Sequence, residues 1–288
     1  MNRIKLTTDY IYNEKITKEL TIAHMADIHF SHRTNRKELT RISQYLEKLA
    51  PNYLIITGDI IDEPSVTKSP KIKEFVAFLN TLAKNCKVLI SLGNHDIILT
   101  EDIKFFNKLD ELPNIYILNN KNYHDEYLNV TGLTLPNSYY YNFNSCESVD
   151  ALINFLDNDV KDIIDKSYQK PNVLLVHSPI KLANTAVLER LKNYDLILCG
   201  HAHAGLVPEF MKWLFPKNSG IISPHKRFFP EIARGKIVKN TLNHRQTIII
   251  NGGIRKLSNR SGISFLNFIY NIDINKIILT KERGKKYE

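Results

Sequence analysis

The chain has 288 residues, 43% hydrophobic and 24% charged, which excludes a disordered or collagen-like chain and allows a large buried core. Three cysteines (Cys86, Cys146, Cys199) are too few and too scattered for a disulfide framework, so a reducing compartment is expected. The net charge of +9 is uneven, since residues 205–288 hold 16 Lys and Arg against 5 Asp and Glu; that basic part reads equally as a pointer to an anionic partner and as a solvated face that aids solubility.

The opening residues Met1–Leu20 lack the apolar core of a signal peptide, and nowhere do about 18 apolar residues run together. The expected location is therefore cytoplasmic. The first apolar run, LTIAHMA (20–26), is followed by RKELTRISQYLEKL (36–49), whose apolar residues recur at helical spacing. YLIIT (53–57) is followed by a second helical pattern, KIKEFVAFLNTLAK (71–84), and then come KVLISL (87–92), VLLVH (173–177) and DLILC (195–199). Short continuous apolar runs alternating with helices predict βαβ units and a sheet buried on both faces. After residue 205, QTIIIN (246–251), SFLNFIYNI (264–272) and KIILTK (276–281) predict strands without helices, hence a second, largely antiparallel sheet. No linker or repeat divides the chain. The expected architecture is an α/β fold, a four-layer α/β/β/α sandwich of two mixed sheets flanked by helices. It forms one domain over 1–288, with the basic part 205–288 completing the second sheet.

Each of the five runs before residue 200 leads into or ends in a polar cluster. These are Asp27-Ile28-His29, Gly58-Asp59-Ile60-Ile61-Asp62, Gly93-Asn94-His95-Asp96, His177-Ser178-Pro179 and Gly200-His201-Ala202-His203. In an open α/β sheet, ligands bind at the carboxyl ends of the strands, so the five clusters are expected to converge. Their inventory (Asp27, His29, Asp59, Asn94, His177, His201, His203) is imidazole, carboxylate and amide, a set that suits manganese, iron, zinc or cobalt. Asp-x-His and His-x-His put both side chains on one face if extended; if they turn, Gly58, Gly93 and Gly200 let the backbone bend. Seven candidates exceed what one catalytic ion takes and fit two ions about 3.5–4 Å apart that share a carboxylate.

The order D-x-H, G-D-x-x-D, G-N-H-D, H, G-H-x-H resembles the calcineurin-like metallophosphoesterase superfamily, from Asp27 to His203. The resemblance implies an α/β/β/α sandwich and a dinuclear centre that hydrolyses phosphate esters. It also implies one metal on Asp27, His29, Asp59 and His203, and another on Asp59, Asn94, His177 and His201, with Asp59 bridging. His95 matches the family histidine that sits over the leaving group without ligating metal, and Asp96 is expected to orient it. The last motif reads Gly-His-Ala-His-Ala-Gly, where many relatives have Thr between the histidines and Gly after them. His177-Ser178-Pro179 and the basic, aromatic stretch after His201 are similar to the bacterial predicted phosphohydrolase branch.

Hydroxide is repelled by an anionic phosphate ester; two cations relieve that repulsion by neutralising charge on the phosphate oxygens, and a water bridging them ionises near neutral pH. The expected function is phosphodiester hydrolysis by attack of that hydroxide, with monoester or pyrophosphate bonds as variants and two divalent ions, Mn first, as cofactors. A DNA nuclease of the same superfamily and a non-catalytic scaffold are the alternatives. Asp62 is read first as structural, capping the following helix, with tying down a ligand histidine as its alternative; His24, His32, His124, His225 and His244 are expected to be surface or hydrogen-bonded residues, and Cys199 a packed hydrophobe. Asn251-Gly252-Gly253 reads as a hairpin turn that offers N–H groups to a phosphate if it faces the site. Val207–Lys217, with Phe210, Met211, Trp213, Leu214 and Phe215, reads first as a core helix. Its alternative is an exposed lip, shared with Pro224–Pro230, for an amphiphilic phosphorylated substrate reached by peripheral contact with an anionic membrane at its inner face.

Overall fold

The computed structural model describes residues 2–99, 103–141, 148–164, 169–223, 228–240, 245–257 and 264–282. Cys146, His225, Lys226, Arg227 and His244 lie outside them. The strands in chain order begin with β1 (Ile4–Tyr12), β2 (Leu20–Met25), β3 (Tyr53–Thr57), β4 (Lys87–Ser91), β5 (Ile115–Ile117) and β6 (Lys121–His124). They continue with β7 (Asn129–Leu133), β8 (Asn172–Val176), β9 (Leu196–Cys199), β10 (Gly235–Asn240), β11 (Arg245–Ile250) and β12 (Ile272–Thr280).

Two six-stranded mixed sheets result, in the orders β1-β12-β2-β3-β4-β5 and β10-β11-β9-β8-β7-β6. In the first, only the β12–β2 pair is antiparallel. In the second, the antiparallel pairs are β10–β11 and β6–β7 at the edges.

Strand alternation sorts the core into three apolar layers. Ile22, Tyr53, Ile55 and Leu89 of the first sheet meet Val130, Val173, Leu175, Leu196 and Leu198 of the second, face to face. The opposite side of the first sheet, with Ala23, Leu54, Ile56 and Val88, packs on Leu39, Ile42 and Leu46 of helix Arg36–Leu49 and on Phe75 and Leu79 of helix Ile72–Ala83. The outer side of the second, with Leu174, Val176, Ile197 and Cys199, is covered by Leu152, Leu156, Val187 and Leu188. Each fully buried side chain of this size contributes about 1.5–3 kcal/mol, so the four layers are held by hydrophobic burial. Helix Arg36–Leu49 starts where the Asn35 side chain accepts from Lys37 N and stops at Ala50, whose φ of 45° leaves the helical region. Among the described residues, no helix is long and apolar enough to cross a membrane.

The C-terminal part departs from expectation. It supplies β10 and β11 to the second sheet, but its longest strand, β12, enters the first, between β1 and β2. The reason lies in β12's alternation: Ile272 and Ile274 face the helix-covered layer and Ile277 and Leu279 the inter-sheet layer, so it needs a sheet position buried on both sides. Residues Ser264–Ile269 form a 3₁₀ turn rather than a strand, and residues Glu209–Leu214 form a 3₁₀ turn with no buried residue rather than a core helix.

Asp125, at the end of β6, gathers donors from both sheets. Its carboxylate accepts from Lys87 Nζ (2.6 Å), Tyr53 Oη (2.7 Å), Tyr123 Oη (2.9 Å) and Tyr127 N (2.9 Å). Burial alone raises a carboxyl pKa, but these donors outweigh it and hold Asp125 well below the usual range. A depressed folded-state pKa gives stability that is complete above the unfolded value, about 4, and is lost as pH falls below it. Asp125→Asn will therefore lower the unfolding free energy at neutral pH by about 1–2 kcal/mol, allowing for solvent screening. In urea melts, the gap between wild type and variant will close as pH falls below about 4; a gap independent of pH contradicts the assignment.

Candidate metal centre

The carboxyl ends of β2, β3, β4, β8 and β9 meet at one edge of the sandwich and carry all seven candidate ligands. The two-residue motifs do not run extended. Asp27 (φ 49°), His29 (φ 46°), Asp59 (φ 51°), His201 (φ 64°) and His203 (φ 47°) all adopt the left-handed region that non-glycine residues avoid. Each such residue costs on the order of 1–3 kcal/mol, and a cluster of them marks a site whose side chains are aimed at the expense of the backbone.

Two glycines permit the convergence. Gly58 (φ +76°) turns the chain into Asp59, and a Cβ there would lie 2.6 Å from His177 Nδ1. Gly93 carries no unusual φ, but a Cβ on it would lie 2.3 Å from Asp59 Oδ1 and 2.5 Å from Asp59 N. Gly93→Ala must push the Asp59 carboxylate aside. Its affinity for added Mn²⁺, measured by titration calorimetry, will fall by roughly 10–100-fold, the usual cost of disturbing a ligand's support. Unchanged affinity would separate the Asp59 carboxylate from the metals.

Ligand atoms of Asp27, His29 and His203 lie within 4.8 Å of one another, as do those of Asp59, His177 and His201, and those of His29, Asp59 and His95. Asp59 Oδ2 stands between the first two groups, 3.7 Å from His29 Nε2 and 3.3 Å from His177 Nε2. Asp27 Oδ1 is central too, 4.0, 3.9 and 3.8 Å from the Nε2 atoms of His29, His177 and His203. The imidazoles are aimed by carbonyls. His177 Nδ1 lies 2.7 Å from Thr57 O and His203 Nδ1 3.0 Å from Arg255 O, which leaves each Nε2 lone pair facing the centre. Asn94 donates Nδ2 to Tyr141 Oη at 2.9 Å and so turns its carbonyl Oδ1 the other way.

The site is buried and electrically unbalanced. Asp27, His29 and His177 are fully buried, and among the described residues His177 Nε2, His29 Nε2 and Asn94 Oδ1 have no hydrogen-bond partner. Burial, and then the neighbouring Asp59 carboxylate, push Asp27 up to about 8 against the pull of His177. Burial acts on Asp59 too, but the His177, His95 and His29 imidazoles outweigh it and hold it well below the usual range. Burial opposes a charge on His177, yet Asp59 and Asp27 prevail and hold it at about 9. His29 and His203 are pushed down, chiefly by burial. Unpartnered nitrogen and oxygen lone pairs around two crowded carboxylates fit divalent cations, which supply the missing positive charge and the missing partners.

The carboxylate beside His95 is not the expected one. Asp96 Oδ1 and Oδ2 accept from the backbone N–H groups of Ile60, Ile61 and Gly93 at 2.9–3.2 Å, tying the β3 and β4 loops together. As the third residue of helix Asn94–Ile97 its carboxylate reaches back to the Gly93 N–H at 2.9 Å, the acidic half of a capping box. Asp62 instead lies with Oδ1 3.5 Å from both His95 Nδ1 and His29 Nδ1, so it steadies two histidines and is not merely structural. The Arg255 carbonyl and Tyr141 were not singled out in the sequence; a backbone acceptor leaves no residue-type signal. Asn251-Gly252-Gly253 packs beneath Asp27, and Gly253 N–H is already donated to Asn251 Oδ1 at 2.7 Å. His24 is buried 2.9 Å from Thr57 Oγ1 and pushed down to about 3, His32 lies 3.3 Å from Ser65 Oγ, and His124 sits on edge strand β6.

The family model for calcineurin-like phosphoesterases matches residues 20–205, which hold every candidate ligand. The chain belongs to this family. Its metallophosphoesterase relatives include an uncharacterized protein of Campylobacter jejuni, 25% identical over 198 residues, covering 68% of this chain and 47% of that protein. An uncharacterized Helicobacter pylori relative is 29% identical over 209 residues, covering 72% of this chain and 51% of its own length. The chain thus spans about half the length of both. The UDP-2,3-diacylglucosamine pyrophosphatase LpxG of Chlamydia muridarum is 24% identical over 249 residues, covering 75% of this chain and 72% of that protein.

Proposed function

We propose that this calcineurin-like phosphoesterase hydrolyses phosphodiester or pyrophosphate bonds of a phosphorylated small-molecule or amphiphilic substrate with two divalent cations, Mn first among them. The observation that carries this reading is the convergence of ligand atoms of His29, His177, His201 and His203 on Asp27 and Asp59, with buried His29 Nε2 and His177 Nε2 lacking a hydrogen-bond partner among the described residues. Asp27, His29, Asp59 and His203 would hold one cation, and Asp59, Asn94, His177 and His201 the other. Bound there, the cations neutralise charge on the phosphate and align the attacking and leaving oxygens. The chain's own groups do the rest. Thr57 and Arg255 carbonyls fix the tautomers of His177 and His203. His95, the least buried histidine beside Asp59 with a side chain 19% exposed, is placed to pass a proton to the departing oxygen. Asp62 behind it holds the imidazole by its Nδ1 face.

The pyrophosphatase relative supports the choice of a substrate with a bridging phosphate. A nuclease reading draws on the basic charge of residues 205–288. Release of p-nitrophenol from bis-p-nitrophenyl phosphate and from p-nitrophenyl phosphate, with added Mn²⁺, tests the proposal. The expected result is faster hydrolysis of the diester. No release from either, with metal demonstrably bound, supports a scaffold instead; cleavage of duplex DNA in preference to both supports the nuclease.

A further inference from the structure

Three segments near His203 expose large apolar side chains that the fold leaves unused. In the 3₁₀ turn Glu209–Leu214, Phe210, Trp213 and Leu214 are 70%, 80% and 53% exposed. In the 3₁₀ turn Ser264–Ile269, Phe265 and Phe268 are each 69% exposed. Residues three apart eclipse in a 3₁₀ helix, so each turn presents an aromatic pair on one side. Phe228 and Phe229, with ring centroids 6.4 Å apart, are also mostly exposed, and Phe229 is held outward at a φ of 53°. The Trp213 indole N–H is donated to Phe210 O at 3.0 Å within its own turn, so the ring asks nothing polar of a partner.

All three segments hang on the turn His203–Leu206 that carries the last metal motif. Ile221 N donates to Gly205 O at 2.8 Å, and Phe229 N in turn donates to Ile221 O at 2.9 Å. Tyr270 Oη donates to Leu206 O at 3.4 Å, and Asn271 Nδ2 to Glu209 Oε2 at 3.2 Å. The three aromatic segments are therefore tied to the turn that carries the last metal motif. Apolar groups exposed in this number at one place mark a contact surface.

The charge around them says what kind. Lys212 and Lys217 flank Trp213, and the one acid of that turn, Glu209, is held by both Lys5 (2.6 Å) and Lys212 (2.7 Å), which leaves the face positive. Aromatic rings among lysines match the headgroup level of an anionic bilayer, where rings enter the acyl boundary and ammonium groups meet phosphates. We infer that the aromatic rim Phe210, Trp213, Leu214, Phe228, Phe229, Phe265 and Phe268 docks this protein peripherally on an anionic membrane surface, with the metal centre at the level of the headgroups.

Binding is read without substrate, so this inference stands or falls apart from the proposed hydrolysis. The full chain is sedimented with vesicles of phosphatidylcholine alone and of phosphatidylcholine mixed with phosphatidylglycerol, while Trp213, the one tryptophan, reports by emission. The expected result is pelleting with the anionic vesicles, a blue shift of Trp213 emission, and weakening as salt rises. Phe210→Ser with Leu214→Ser, which keeps the reporter, will reduce partition at least about tenfold at an unchanged Tm, and Phe265→Ser with Phe268→Ser will do the same. No pelleting and no shift, equal partition into both vesicle types, or variants that bind as wild type overturn the inference. So does a concentration-dependent dimer that the same substitutions dissolve, since a second copy of the chain then covers the rim.

Discussion

Asp59→Asn will strip divalent metal from the protein and abolish hydrolysis. Asp59 Oδ2 faces one imidazole of each group, at 3.7 Å from His29 Nε2 and 3.3 Å from His177 Nε2, so one substitution removes a negative ligand from two positions. Asn keeps the shape and one acceptor oxygen but not the charge. It also leaves His177 facing Asp27 alone, with the His177 imidazole still buried. The expected loss in kcat/KM is on the order of 10³ or more, at the level of losing a principal electrostatic element of the site. Metal content by elemental analysis will fall with it. His203→Ala, whose Nε2 faces Asp27 at 3.8 Å, will damage one position only and lose less metal. A D59N protein that retains as much metal as wild type contradicts the shared role.

His95→Ala will behave differently, keeping metal and losing rate. The contact that ties residue 95 to Asp59 is its backbone N–H, donated to Oδ1 at 2.9 Å, and alanine preserves it. The substitution therefore removes the imidazole while leaving the Asp59 carboxylate where it is. The expected loss in kcat is on the order of 10²–10⁴, the usual contribution of a positioned acid or base. It will shrink across a series of aryl diesters as the leaving group becomes more acidic, because a better leaving group needs less protonation. Equal losses across the series would assign His95 to charge stabilisation instead. Asp62→Asn will give a smaller loss in the same direction, since Asp62 reaches the site through the imidazoles it faces at 3.5 Å.

What could be read in advance follows from burial. β2, β3, β4, β8 and β9 are covered on both faces, which demands unbroken apolar runs, and those runs stand out in the sequence. The polar clusters at their ends were legible for the same reason, since a ligand set has to follow a strand that the core already positions. β1 and β6 were not. Thr7, Thr8 and Asp9 interrupt one, the other is Lys-Asn-Tyr-His, and both are edge strands with little to bury. The run Ser264–Ile269 misled in the opposite way: its phenylalanines are apolar but face outward, so hydropathy alone suggested a strand. The motifs put Asp62 and Asp96 in the polar clusters at the strand ends, but not which of them faces His95. That depends on Asp96 capping its own short helix, while Asp62 follows Phe30 and Ile61 inward through their paired backbone.

Asp27, His29, Asp59, Asn94, His177, His201 and His203 are expected to hold a pair of ions. Elemental analysis of the full chain, incubated with Mn²⁺ and passed over a desalting column, tests it most directly. About two transition-metal ions per wild-type chain are expected, the number a shared carboxylate with ligands on either side accommodates. A wild-type protein that holds none, or a single ion unaffected by Asp59→Asn, would contradict it.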